Sequence, residues 1–446
     1  MRLPAPKMFS PMWCALISLI FFHFCVLLPP GLYIFLLDEQ SHIFLNFSAT
    51  VYFWACFAAF AAGVGFWHAL VRRPVGKSIF RPQMLRSTMP MYWLFISVAV
   101  VTISHGAYLL GNLGYLADNL AFLISSEGNQ IKEEQGTGAI FSYLNSVAIA
   151  FTWWGVARLL GAGDGSTLLR RLSWAVTILC GLLVVTSSVL RTARFELIPF
   201  IFGVGLIFAT IRPFKLRMID RLRVYSTTGV ALAIIFIGIS IARGTESLGT
   251  NFAGYSIAGY NRFGALIDGQ LSFSHDGTGA RTLSSIAYFP LLGRWFQLNQ
   301  MMGIPEPFEV WEAGFYSIWQ AGLNKLYTFS SAPGIVFVDF GLLGPLFFLL
   351  VGILAVAMWQ KLEDGSVFGI LLYPWFAFSV LFWFGYNLIA SPAIWLYVAS
   401  ALIIRFGSLF GRRKPPTFLG AGSHCDVAAE SSFPRDAHLY SGRGLK

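Results

Sequence analysis

The sequence predicts an all-α, polytopic membrane protein of about ten transmembrane helices, with a large external loop containing interfacial or re-entrant helices. Three observations predict this: the composition, the recurrence of long apolar stretches, and the sidedness of the cations. Of the 446 residues 56% are hydrophobic, 16% aromatic and only 12% charged, with a mean hydropathy of +0.66, whereas a soluble domain is about 25% charged. Stretches near the ~20 residues that cross a hydrocarbon layer recur at 12–37, 43–70, 90–111, 139–160, 172–190, 195–211, 224–242, 334–359, 366–386 and 392–409. The first carries Pro29, Pro30 and Gly31 and is expected to kink there.

Orientation follows from lysine and arginine, because translocating cationic loops is disfavoured. Alternate loops and the two ends of the chain hold 21 cations and the opposite loops 8, so both termini are expected in the cytoplasm. The basic start followed by an apolar run lacks a small-residue cleavage site and reads as a retained first helix. A net charge of +10 does not call for nucleic acid, since these cations stand in short loops at helix ends. Cys14, Cys25, Cys56 and Cys180 fall within spans and Cys425 in the tail, so no disulfide is expected outside. The chain reads as one membrane domain, 1–411, followed by a Pro-, Gly- and Ser-rich tail, 412–446, expected to be disordered and cytoplasmic.

Two chemical motifs fail on inspection. Gly76, Lys77 and Ser78 resemble the end of a phosphate-binding loop, but Val71 stands where the first glycine is needed. His424, Cys425 and His438 match no zinc spacing. Neither a metal nor any other cofactor is therefore expected, and without a cytoplasmic globular domain the substrates should arrive through the membrane or from outside.

The informative cations are arginines on the outer side, where positive charge is otherwise depleted. Arg191 and Arg194 flank the junction of the fifth and sixth spans, Arg243 ends the seventh, and Arg262, Arg281 and Arg294 are spread through the large loop, 243–332. Guanidinium forks bind phosphate bidentately, so such a set suits a lipid diphosphate, with Arg191, Arg194 and Arg262 expected to converge on it. The bland alternative is that they snorkel to headgroups or pair with Glu196, Glu246, Asp268 and Asp276. The loop is rich in apolar runs broken by glycine, too apolar to float in water, so it should lie in the interface or re-enter the bundle. Asp339, five residues into a helix read as starting at Gly334, should sit about 8 Å below its entry point. An ionisable group there faces protein or a wet cavity, as a catalytic carboxylate or as an arginine's partner. Asp38 and Glu39 read as helix-end charges.

These residues together resemble the bacterial O-antigen polymerases, or oligosaccharide repeat-unit polymerases. The likeness rests on Arg191-Thr192-Ala193-Arg194 opening a span, on Tyr255, Tyr260 and Arg262 with Gly259-Tyr260-Asn261-Arg262-Phe263, and on Asp339-Phe340-Gly341 leading to Gly344. By pattern it covers roughly 190–350 and beyond that topology alone. The resemblance implies a metal-independent glycosyltransferase that polymerises undecaprenyl-diphosphate-linked repeat units at the outer face of the inner membrane, among membrane lipids and beside a chain-length regulator. Such a reaction needs a base for the acceptor hydroxyl and cations for the leaving diphosphate. Glu246, Asp268, His275, Asp276, Glu312 and Asp339 stay open for the first task, Arg191, Arg194, Arg243, Arg262 and Arg281 serve the second, and Tyr255 and Tyr260 would contact glycan. The alternatives from other classes are a lipid-linked glycan ligase and a non-enzymatic transporter or flippase.

Overall fold

The computed structural model describes residues 9–37, 44–71, 91–124, 139–161, 166–191, 193–211, 248–273, 277–290, 292–324, 327 and 330–410, with a few positions between 226 and 241. All described elements belong to the unit Met1–Gly411, and every regular element among the described residues is helical. The main helices are α1 (Pro11–Val26), α2 (Pro30–Leu37), α3 (Phe47–Val71), α4 (Met91–Gly111), α5 (Leu113–Ile124), α6 (Ala139–Gly161), α7 (Thr167–Leu190), α8 (Arg194–Ile211), α9 (Leu248–Ile267), α10 (Pro307–Gln320), α11 (Ser331–Phe340), α12 (Gly344–Glu363), α13 (Val367–Leu381) and α14 (Ala393–Phe410).

Six of these are long and apolar enough to cross a membrane: α3, α4, α6, α7, α8 and the pair α11–α12, which together run Ser331–Glu363. The remaining expected spans differ for identifiable reasons. The first is broken at the double proline, where α1 and α2 meet at 103°. The seventh, 224–242, is described only at scattered positions, each of them helical. The ninth and tenth are shorter apolar helices, the ninth stopping at Leu381 rather than 386.

The helices form two groups joined through α13. On one side α6 packs on α4, α7, α8 and α14; on the other α3 runs along α12, and α9 packs on α2 and α11. Helix α13 touches α1, α8, α12 and α14 and is buried on nearly every face, which is why its sequence is apolar all round. At the α3–α12 crossing a Cβ at Gly63 would sit 2.1 Å from the Leu349 carbonyl oxygen, and one at Gly352 would sit 2.3 Å from that of Phe60. Lipid tails offer no hydrophobic drive for such pairing, so close backbone approach through small residues must supply the dispersion energy. Gly63→Val is accordingly expected to lower the thermal midpoint of the purified protein, at a cost of about 1–3 kcal/mol from overpacking. Gly65→Val, on the same helix with open space around it, serves as the control and should leave the midpoint in place.

The segment between the seventh and eighth expected spans does not float. Helix α9 is buried from Ser256 to Leu266, with Gly259 against the Phe384 carbonyl and Gly264 against that of Phe44. Two of the glycines that interrupt its apolar pattern are thus positions where other backbones approach, while Gly254 faces the Tyr327 ring. After it, 277–290 and 292–324 fold into short turns and α10, held to the bundle by Ser284 Oγ donating to Ala390 O at 2.8 Å and Trp395 Nε1 donating to Ser285 O at 2.6 Å.

Candidate functional site

Helix α11 stops at Phe340 because Gly341 takes a φ of +54°, a conformation costly for any residue with a Cβ. A single 3₁₀ turn, Gly341–Leu343, leads into α12. Asp339 therefore stands in the last turn of a ten-residue helix, not near the start of a long one as the sequence suggested. The break opens a cleft of about 610 Å³ beside it, within the range of small-molecule sites. Leu266, Leu271, Phe337, Val338, Phe340 and Leu343 give it apolar walls, and Asp339 is the one acidic side chain among its described lining residues.

The large loop closes over this carboxylate. Thr282 N donates to Asp339 Oδ2 at 2.6 Å, and Arg281 N donates to Oδ2 at 3.2 Å and to Oδ1 at 3.5 Å. Gly277 N donates to Val338 O at 2.9 Å one residue earlier. Oδ2 is thus engaged by two amides while Oδ1 has one long contact, and a carboxylate has lone pairs to spare for a further donor. The Arg281 guanidinium lies over the Phe273 ring, 4.8 Å from its centroid, a cation–π contact beside the cleft. Of the arginines and carboxylates singled out in the sequence, Asp339 lines this cleft, and Arg281 joins it through its backbone amide.

The others are placed differently. Arg191 caps the C-terminal end of α7. Its Nη1 donates to Glu196 Oε1 at 3.3 Å, its Nη2 lies still closer to Oε2, and its Nε donates to Ser187 O at 3.3 Å. Glu196 in turn accepts from Ser142 Oγ at 2.7 Å and Asn145 Nδ2 at 2.5 Å. A cation at one helix's C-terminal end and an anion in the first turn of the next both suit the helix dipoles. Arg194 is buried at the start of α8. Arg262, fully buried, donates from Nε to Tyr327 O at 2.6 Å, from Nη2 to Asn324 O at 3.1 Å and from Nη1 to Ala258 O at 3.3 Å. The expected convergence of Arg191, Arg194 and Arg262 is corrected accordingly: Arg191 and Arg262 hold separate sets of protein partners, and Arg262 uses its fork to bind the 324–327 backbone.

Tyr260 is also corrected. It is fully buried among Phe22, Phe53 and Phe21, with centroids 5.0, 5.7 and 6.3 Å away, and leaves no ring face for a sugar. Asp268 is exposed and both its oxygens meet Asn46 Nδ2, the side chain whose Oδ1 also accepts from Ala49 N at the start of α3. Glu312 is exposed on α10. Arg243, Glu246, His275 and Asp276, together with the side chains of Tyr255 and Arg294, lie outside the described residues, as do Asp38 and Glu39. Among the described residues no three His, Cys, Asp or Glu side chains gather as metal ligands would.

Thr282, Ser142 and Asn145 were not anticipated. Asn145 was findable, because an amide in an otherwise apolar span must meet a buried partner. Comparison with known proteins adds no relative: no family model matches the chain, and no curated protein or solved structure matches it either.

Proposed function

We propose that the chain is a glycosyltransferase that extends a polysaccharide by joining lipid-diphosphate-linked repeat units, working at the outer face of a bacterial inner membrane for O-antigen, capsule or exopolysaccharide. The observation that carries this reading is Asp339 lining an apolar-walled cleft at the end of α11, with the Arg281 backbone amide on its carboxylate and the Arg281 guanidinium close by over the Phe273 ring. In the reaction the acceptor sugar hydroxyl gives its proton to Asp339 Oδ1 as its oxygen bonds to the donor's anomeric carbon. The bond from that carbon to the diphosphate breaks, and the diphosphate leaves with the electron pair. Arg281, charged at all working pH, stabilises that leaving group. The apolar walls suit the first units of an isoprenoid carrier. No nucleotide or metal enters these steps.

The proposed arrangement has about ten spans, both termini in the cytoplasm and 243–332 outside. Cysteines placed at Ser78 and at Ser274 test it with an impermeant thiol reagent on intact spheroplasts. The second should label and the first should not; the reverse pattern would overturn the orientation.

Activity is tested in a strain lacking the gene. Restoration of a ladder of glycan lengths by the intact chain supports polymerisation. Transfer of a single preformed glycan would instead make it a ligase, and repeat units trapped on the cytoplasmic leaflet without the chain would make it a flippase.

A further inference from the structure

We propose that the face of α10 bearing Tyr316 and Trp319, together with the turn at Trp295 and Phe296, is seated in the headgroup layer of the bilayer and fixes the mouth of the Asp339 cleft at that depth. This goes beyond the assignment of a reaction and does not depend on it.

Helix α10 has two unlike faces. Ile318 is buried and packs with Ala265, Leu266, Leu271, Phe273 and Val338, three of which also wall the cleft. The opposite face exposes Glu309, Glu312, Tyr316 and Trp319 at helical spacing. It is therefore acidic over its first turns and aromatic over its last. Tyr316 and Trp319 stand 5.9 Å apart, ring centre to ring centre, and are 55% and 58% exposed. Indole and phenol rings with one polar edge favour the headgroup level, whereas carboxylates there stay on the water side. The gradient thus gives the helix a direction, C-terminal end toward the lipid.

Two further observations choose the bilayer over another occupant. The exposed leucines that begin beside the cleft, Leu342, Leu346, Leu350 and Leu354, form an i, i+4 stripe from the 3₁₀ turn down α12, which is the lipid-facing surface of a spanning helix. Val338 lines the cleft and packs on Ile318 of the buried face of α10, and Leu343, beside the first leucine of the stripe, lines the cleft too, so the helix, the cleft and the stripe share one corner of the fold. Independently, the turn carrying Trp295 (75% exposed) and Phe296 follows a segment tied to the first turn of α14. The ties are the Trp395–Ser285 hydrogen bond and the Phe289–Trp395 ring contact, 4.6 Å between centroids. An apolar turn fixed at the end of a membrane helix lies at the membrane surface. A carrier lipid could then enter the cleft sideways without leaving the bilayer.

With 14 tryptophans in the chain, intrinsic fluorescence cannot report on one, so single labels are needed. In a Cys425→Ser background, where the other four cysteines are buried, Trp319→Cys, Tyr316→Cys, Trp295→Cys and Glu309→Cys each receive an environment-sensitive fluorophore in nanodiscs of phosphatidylethanolamine and phosphatidylglycerol. Brominated acyl chains should quench the labels at 319, 316 and 295 several-fold more than the label at 309, and aqueous iodide should show the reverse order. Equal iodide access at all four positions overturns the proposal. So does protection of the labels at 316 and 319 by soluble oligosaccharide in lipid-free detergent, which would make the face a sugar platform. Loss of glycan extension with the lipid-quenching pattern intact would count against the reaction proposed above and leave the seating standing.

Discussion

Asp339→Asn is expected to abolish glycan extension while leaving the large loop docked on the bundle. The asparagine side-chain oxygen can still accept from Thr282 N and Arg281 N, which in the native protein reach Asp339 at 2.6 and 3.2 Å, so the 277–285 segment keeps its seat. What disappears is the ability to take a proton, and general-base removal costs roughly 100-fold or more in rate. Asp339→Leu removes the acceptor as well, leaving two buried amides unsatisfied at about 1–3 kcal/mol each. That variant should expose the loop to protease and speed amide exchange at Arg281 and Thr282. The two substitutions separate chemistry from anchoring. Native chain lengths with Asp339→Asn would reduce Asp339 to a strut for the loop, and the same assay on Glu312→Gln and Asp268→Asn would then test the two other described carboxylates that the sequence offered as the base.

The spans α3, α4, α6, α7 and α8 were legible because each is a continuous apolar run of crossing length, a property that the sequence states directly. Helix α9 was not, for a physical reason. Gly254, Gly259 and Gly264 look like breaks that divide an interfacial or re-entrant segment, yet the last two are where the Phe384 and Phe44 backbones come within contact, and local pattern does not tell a flexible glycine from one needed for close packing. The position of Asp339 was misjudged because Gly341 reads as a tolerated glycine in a long helix, whereas its positive φ ends α11. The arginines show the same limit. A guanidinium that will bind a ligand and one that caps buried carbonyls, as Arg262 does for 324 and 327, are identical in sequence, and only the geometry separates them.

Glu196→Ala is expected to be among the most destabilising single substitutions in the bundle. It strips Arg191, 9% exposed, of its counter-ion, leaves Ser142 Oγ without its acceptor and leaves Asn145 Nδ2 with Ser188 Oγ alone. Removing one partner of a buried pair costs about 3–5 kcal/mol, because the other charge stays uncompensated in a low-dielectric setting. The thermal midpoint in nanodiscs should fall sharply, and less so for Glu196→Gln, which keeps acceptors for the serine and asparagine. Arg191→Leu together with Glu196→Leu should recover most of the loss, since apolar replacement of a whole buried pair is often neutral. That double variant also decides what Arg191 is for. If the arginine serves only to join α7 to α8 through Glu196, the double variant is stable and still extends glycan. If its fork is lent to a diphosphate during the reaction, the double variant is equally stable but inactive, and the diphosphate site extends from Arg281 to the α7–α8 corner.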